Sequence, residues 1–213
     1  MGRKERAKFC RLKLKRFLYL ISPNKIQINF YKDLEDVLSS NKVKYFQLRL
    51  KNQKEKKIIQ ISKKIIKITR FYNVKFIIND RHNLVKRIDA DGCHLGQSDG
   101  NILNIKKSLK KKVIGVTCHN SKKLANKAMA NGASYVAFGS FHRSQLKPNA
   151  KKANVKILSW AKKKLGLPIV AIGGINSKNY KKLIKQGANY IALSSFIWDN
   201  PNLKPFEAIK VFK

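Results

Sequence analysis

The chain has 213 residues, 43% of them hydrophobic, enough to bury one sizeable core and short enough for a single domain. Its 48 Lys and Arg against 11 Asp and Glu give a formal net charge of +37, spread over nearly every expected helix. That surface attracts phosphorylated small molecules and polyanions alike. A general lysine bias accounts for it without a specific nucleic-acid partner, and no apolar stretch approaches the length that crosses a membrane.

Residues 1–16 read as a basic, solvated extension before a single domain over 17–213. Met1 to Phe17 resembles the charged start of a signal peptide, but the apolar run after it, Phe17 to Ile21, is too short to be one. Cys10, Cys93 and Cys118 are odd in number, far apart and without metal-binding spacing, which fits a reducing cytoplasm.

Short apolar runs rich in β-branched and aromatic residues predict strands at 17–21, 44–48, 75–78, 92–95, 113–117, 135–138, 169–172 and 190–193. Helical patterns lie between them. Ile58, Ile61, Ile65 and Ile68, three and four apart, mark the face of one helix that packs on the sheet. Within the second half, Val113 to Phe141 repeats as Ile169 to Phe196. Asn120-Ser121-Lys122 matches Asn176-Ser177-Lys178 at a helix start, and Gly132-Ala133 matches Gly187-Ala188 at a helix end. Repeating βαβ units with eight strands predict an eight-stranded parallel βα (TIM) barrel, with an open doubly wound sheet as the alternative.

The unusual polar residues fall just past the expected strand ends, where such barrels carry their chemistry. Gln47, Arg49 and Lys51 alternate along an extended backbone, and read either as a convergent diphosphate site or as an ordinary basic strand end. Asn79-Asp80 follows the third strand and His94 to Asp99 the fourth. Two carboxylates from neighbouring loops suit a hard cation such as Mg²⁺, although Asp99 reads equally as the N-cap of a helix over 102–109. Asp89 and Asp91 mark a turn. Thr117-Cys118-His119 offers a hydroxyl and an imidazole for proton transfer, with Cys118 turned away as a packed residue. Gly139 to Lys147 reads as a basic, hydroxyl-bearing flap or as plain solvent-facing loop. Gly173-Gly174 after the seventh strand, paired with Ser194-Ser195 after the eighth, points to a phosphate site.

In order along the chain, Gln47-Leu-Arg-Leu-Lys51, Ile78-Asn-Asp80, Asp91 to Asp99, Gly115-Val-Thr-Cys-His119, Ile169 to Ile175 and Ala192-Leu-Ser-Ser195 resemble the thiamine phosphate synthase family from about Leu18 to Trp198. The resemblance implies a Mg²⁺-assisted transferase that joins an aminopyrimidine methyl diphosphate to a thiazole phosphate and releases pyrophosphate. It implies that Gln47, Arg49, Lys51 and Asn79 hold the diphosphate substrate, and that Asp80 and Asp99 hold the metal. Thr117, Ser144 and Lys147 would extend those contacts, and Gly174, Ser194 and Ser195 would take the thiazole phosphate. Arg49, Lys51, Lys147 and Thr117 would act on the reacting groups. Leu146 departs from the family pattern, which usually has a threonine there; losing a hydrogen bond to a charged group costs about 1.5–3 kcal/mol when nothing replaces it.

Three rivals remain at this point. A thiazole tautomerase of the same barrel would use His119, yet its pattern usually lacks the equivalents of Gln47 and Asp99. A nucleic-acid-binding protein on a barrel scaffold gives no role to Asp80 and Asp99. A sugar-phosphate epimerase would share only the phosphate site. A homo-oligomer is compatible with the sequence.

Overall fold

The computed structural model describes residues 16–142 and 151–213. Eight strands, β1 (Leu18–Ile21), β2 (Val43–Leu48), β3 (Lys75–Asn79), β4 (Gly92–Leu95), β5 (Val113–His119), β6 (Tyr135–Phe138), β7 (Ile169–Ala171) and β8 (Tyr190–Leu193), close into a parallel barrel in sequence order. The barrel expectation therefore holds and the open sheet is excluded, because β1 pairs with both β2 and β8. Each expected strand appears; β4, β6 and β8 have the expected bounds and the other five differ at one end by one or two residues.

Helices α1 (Phe30–Ser39), α2 (Glu55–Phe71), α3 (Leu84–Arg87), α4 (Ile102–Leu109), α5 (Lys122–Ala130), α6 (Lys156–Lys164), α7 (Tyr180–Lys185), α8 (Ser195–Trp198) and α9 (Pro205–Lys210) alternate with the strands. Their apolar stripes pack outside the barrel. In α2 the buried face is Ile58, Ile61, Ser62, Ile65, Ile66 and Thr69, so Ile68 lies at the edge of the stripe rather than within it. The lysines of the same helix point outward, which lets a strongly cationic chain keep an apolar core.

The internal repeat has a physical basis. Gly132 and Gly187 adopt positive φ of 83° and 119°, and the next residues donate back across the helix end, Ala133 N–H to Ala128 O at 3.0 Å and Ala188 N–H to Leu183 O at 3.1 Å. Ser121 caps α5 by accepting from Leu124 N–H at 3.2 Å. At the strand beginnings, Ser134 and Asn189 each clasp the preceding odd strand. Ser134 Oγ accepts from Ile114 N–H at 3.0 Å and Asn189 Oδ1 from Ile169 N–H at 2.8 Å, while their own N–H groups donate to the carbonyls of those residues. Asp91 makes the same clasp with Phe76, accepting its N–H at 2.9 Å, which is the structural role behind the turn assigned to it.

Arg16 is the described part of the basic extension, and it anchors the chain. Its guanidinium donates to Asn41 Oδ1 and to the carbonyls of Tyr72 and Asn73 past the end of α2. Residues 1–15 lie outside the described residues. Among the described residues, no helix is long and apolar enough to cross a membrane.

Candidate active site

The chemistry-bearing residues gather at the carboxyl ends of β2, β3, β4 and β5. Lys51, Asn79, Asp80, Arg81, His82 and Asp99 line a cavity of about 370 Å³ there. Asp80 reaches it through a left-handed backbone (φ 60°), which Asp tolerates better than most residues; its N–H donates to His94 O at 2.8 Å. That local turn carries its carboxyl toward Asp99 on the next loop. Asp99 is itself fixed by accepting the Gly96 N–H at 2.6 Å.

The N-cap reading of Asp99 is overturned. The cap of α4 is Asn101, whose side chain accepts from Asn104 N–H at 3.2 Å, two residues further along. Asp99 is thus left to face Asp80. Partial burial, and then the carboxyl contact and repulsion from Asp99, push the Asp80 acid up to about 6, while Lys51 and Arg49 pull it down. Two carboxylates held together against that cost fit a divalent cation, and an all-oxygen pair suits Mg²⁺, which keeps water and phosphate oxygens as its other ligands. Among the described residues no cluster of three or more His, Cys, Asp and Glu forms.

Gln47 points into the barrel, 3% exposed, and its amide donates to Asn79 Oδ1 while its carbonyl accepts from Tyr19 at 3.0 Å. Arg49 lies past the strand end, its N–H bonded to Ser22 Oγ at 3.0 Å and its guanidinium 3.4 Å from Asn24 Oδ1. Thr117 is bonded through its hydroxyl to His94 Nε2 at 2.7 Å. His119 sits at positive φ (51°), exposed past a bulge in β5. Cys118 packs outside the barrel, as does Cys93; burial pushes both thiols up to about 12, which makes them poor nucleophiles.

On the other side of the mouth, Gly173 and Gly174 both have positive φ, and a Cβ on Gly173 would sit 2.0 Å from Ser140 Oγ. Ser194 precedes the short α8, which Ser195 begins. Gly174, Ser194 and Ser195 are not on the walls of the Asp80 cavity; the bridge between the two groups is Ser22, which accepts from Arg49 N–H and from Ser194 Oγ at 3.3 Å. Ser144 and Lys147, like Leu146, lie outside the described residues. Sequence reasoning gave no role to Ser22, Tyr19, Tyr135 or His94. The inward parity of His94, two residues before Gly96 on an alternating strand, was the available signal for the last.

Comparison with known proteins identifies the family and the fold. A family model described as thiamine monophosphate synthase matches residues 18–197. A thiamine-phosphate synthase of Pelagibacter ubique (strain HTCC1062) is 52% identical over 200 residues, covering 93% of this chain and 97% of the relative. Another, of Erythrobacter litoralis (strain HTCC2594), is 38% identical over 186 residues, covering 85% and 87%. Among solved structures, a thiamine phosphate pyrophosphorylase of Pyrococcus furiosus superposes with a TM-score of 0.82 at 27% identity, covering 94% of this chain and 95% of that one.

Proposed function

The chain belongs to the thiamine monophosphate synthase family and is a transferase that makes thiamine phosphate, and we propose that it does so by Mg²⁺-assisted dissociation of an aminopyrimidine methyl diphosphate. Gln47, Arg49, Lys51 and Asn79, with Thr117, Ser144 and Lys147, hold that substrate; Gly174, Ser194 and Ser195 hold the thiazole phosphate. Asp80 and Asp99 hold the metal, which supplies positive charge to the diphosphate oxygens when bound. The observation that carries the reading is the facing of Asp80 and Asp99: burial and the like charge of Asp99 raise the Asp80 acid even though Lys51 and Arg49 lie near enough to oppose them, and a divalent cation between the carboxylates would remove that cost.

In this reaction the bond between the methylene carbon and the diphosphate oxygen breaks, and its electron pair leaves with pyrophosphate. Arg49, Lys51 and Lys147 hold the departing charge, the electron-rich aminopyrimidine carries the cationic carbon, and the thiazole nitrogen closes the new C–N bond with its lone pair. No protein nucleophile takes part. The protein holds two reactants adjacent and the leaving group in place, which is where positioning contributes most. The same site serves small phosphorylated substrates and needs no nucleic acid.

The test is to combine the purified protein with aminopyrimidine methyl diphosphate, thiazole phosphate and Mg²⁺ and to follow thiamine phosphate and pyrophosphate, with a chelated control. Product in the presence of metal alone supports the reading. Absence of product, with isomerisation of a thiazole carboxylate phosphate instead, would transfer it to the tautomerase.

A further inference from the structure

Inside the barrel, six polar side chains form one continuous path from Asn79 to Thr117. Gln47 donates to Asn79 Oδ1; Tyr19 OH donates to Gln47 Oε1 at 3.0 Å; Tyr19 and Tyr135 hydroxyls meet at 2.8 Å; Tyr135 OH lies 2.9 Å from His94 Nδ1; and His94 Nε2 lies 2.7 Å from Thr117 Oγ1. Each hydroxyl has one proton. With the Tyr19 proton on Gln47, Tyr135 must donate to Tyr19, so His94 must donate from Nδ1, and a neutral imidazole then accepts at Nε2 from Thr117. Burial pushes both tyrosine hydroxyls far above their ordinary range, so each remains a donor. The path is directional. Reversing any one link demands reversing them all.

We propose that this path is a single hydrogen-bond polarity device that ties recognition of the diphosphate to recognition of the amino-bearing ring. The proposal rests on the reading that the diphosphate lies against Asn79, a residue on the wall of the Asp80 cavity. Diphosphate oxygens accept only, so Asn79 must turn its amide N–H₂ toward them and its Oδ1 toward Gln47. That choice fixes every later link and leaves Thr117 Oγ1, its proton committed to His94, as an acceptor suited to an exocyclic amino group. Tyr19 and Tyr135 are positioning residues: they lie below the substrate and carry the orientation from one wall of the barrel to the other. An oxo group in place of the ring amine would meet an acceptor at Thr117 and be rejected by the same path.

The test uses the full chain labelled with ¹⁵N in its four histidines, His94 being assigned from the signals lost in His94→Gln. With Mg²⁺ and inorganic pyrophosphate bound, the His94 ring is expected neutral, protonated at Nδ1 and bare at Nε2. In Tyr135→Phe that tautomer shifts toward Nε2–H, and KM for the aminopyrimidine methyl diphosphate rises about tenfold, the loss of one well-made hydrogen bond. KM for thiazole phosphate, bound across the mouth, stays within about twofold. A His94 protonated at Nε2 or at both nitrogens in the pyrophosphate complex overturns the proposal, as does a folded Tyr135→Phe with an unchanged tautomer and KM. If that variant does not fold, Tyr19→Phe breaks the path one link away and is read by the same criteria. A wild-type protein with the expected tautomer but no thiamine phosphate synthesis refutes the functional reading while leaving the path supported.

Discussion

Replacing Asp99 by Asn should make the metal-free protein more stable and the enzyme nearly inactive. The gap between about 6 and the ordinary 3.8 for Asp80 corresponds to about 3 kcal/mol at full strength. Burial, its largest cause, survives the substitution, and water reaching the half-buried carboxyl screens the rest, so about 1 kcal/mol is the gain to expect. An Asn side chain still accepts the Gly96 N–H, which preserves the loop. A carboxyl whose folded pKa is raised contributes stability below its unfolded value and loses it as pH rises through the folded one. The advantage of the variant should therefore be absent below about pH 4 and complete above about pH 6 to 7. Thermal unfolding in EDTA at pH 7.5 should show a rise of about 2–4 °C in Tm, with the Mg²⁺-dependent increment of the wild type lost. A variant that melts several degrees lower in EDTA, or keeps the full response to Mg²⁺, would refute the like-charge argument.

Arg49→Ala should lower kcat/KM by about 10²-fold, in line with the removal of one preorganised group from a developing anion, with little change in Tm. Gly115→Ala places a Cβ 1.9 Å from the Tyr135 ring, so urea unfolding should reveal a loss of about 1–3 kcal/mol or more together with a disturbed His94. Removing the guanidinium in Arg16→Ala takes away its bonds to Asn41, Tyr72 and Asn73 at the opposite end from the site; about 1 kcal/mol of stability should go while both KM values hold.

The barrel was legible because its signals are local. Apolar runs of strand length, the Ile stripe of α2 and the glycine helix ends at Gly132 and Gly187 each state their element within a few residues. The carboxylate site was half legible. Asp80 and Asp99 stood out in a lysine-rich chain, but the choice between metal ligand and N-cap for Asp99 depended on whether the helix began two residues earlier, and Asn101 decided it. What could not be read is the barrel interior. Alternation shows that Tyr19 and Tyr135 face inward, but they are 116 residues apart, and their 2.8 Å contact exists only once the barrel closes. The bridge through Ser22 has the same origin: it joins strands that are neighbours only by closure.

The clasps at Asp91, Ser134 and Asn189 lie at the rim opposite the mouth. They staple the barrel in strand pairs from below, so its closed shape does not depend on the loops that carry the chemistry. Stability and substrate choice are thereby written on separate residues. Selection can redraw the upper loops, in length or in sequence, at a nearly constant melting temperature, and can adapt the lower rim to a warmer or saltier setting without retuning the reaction.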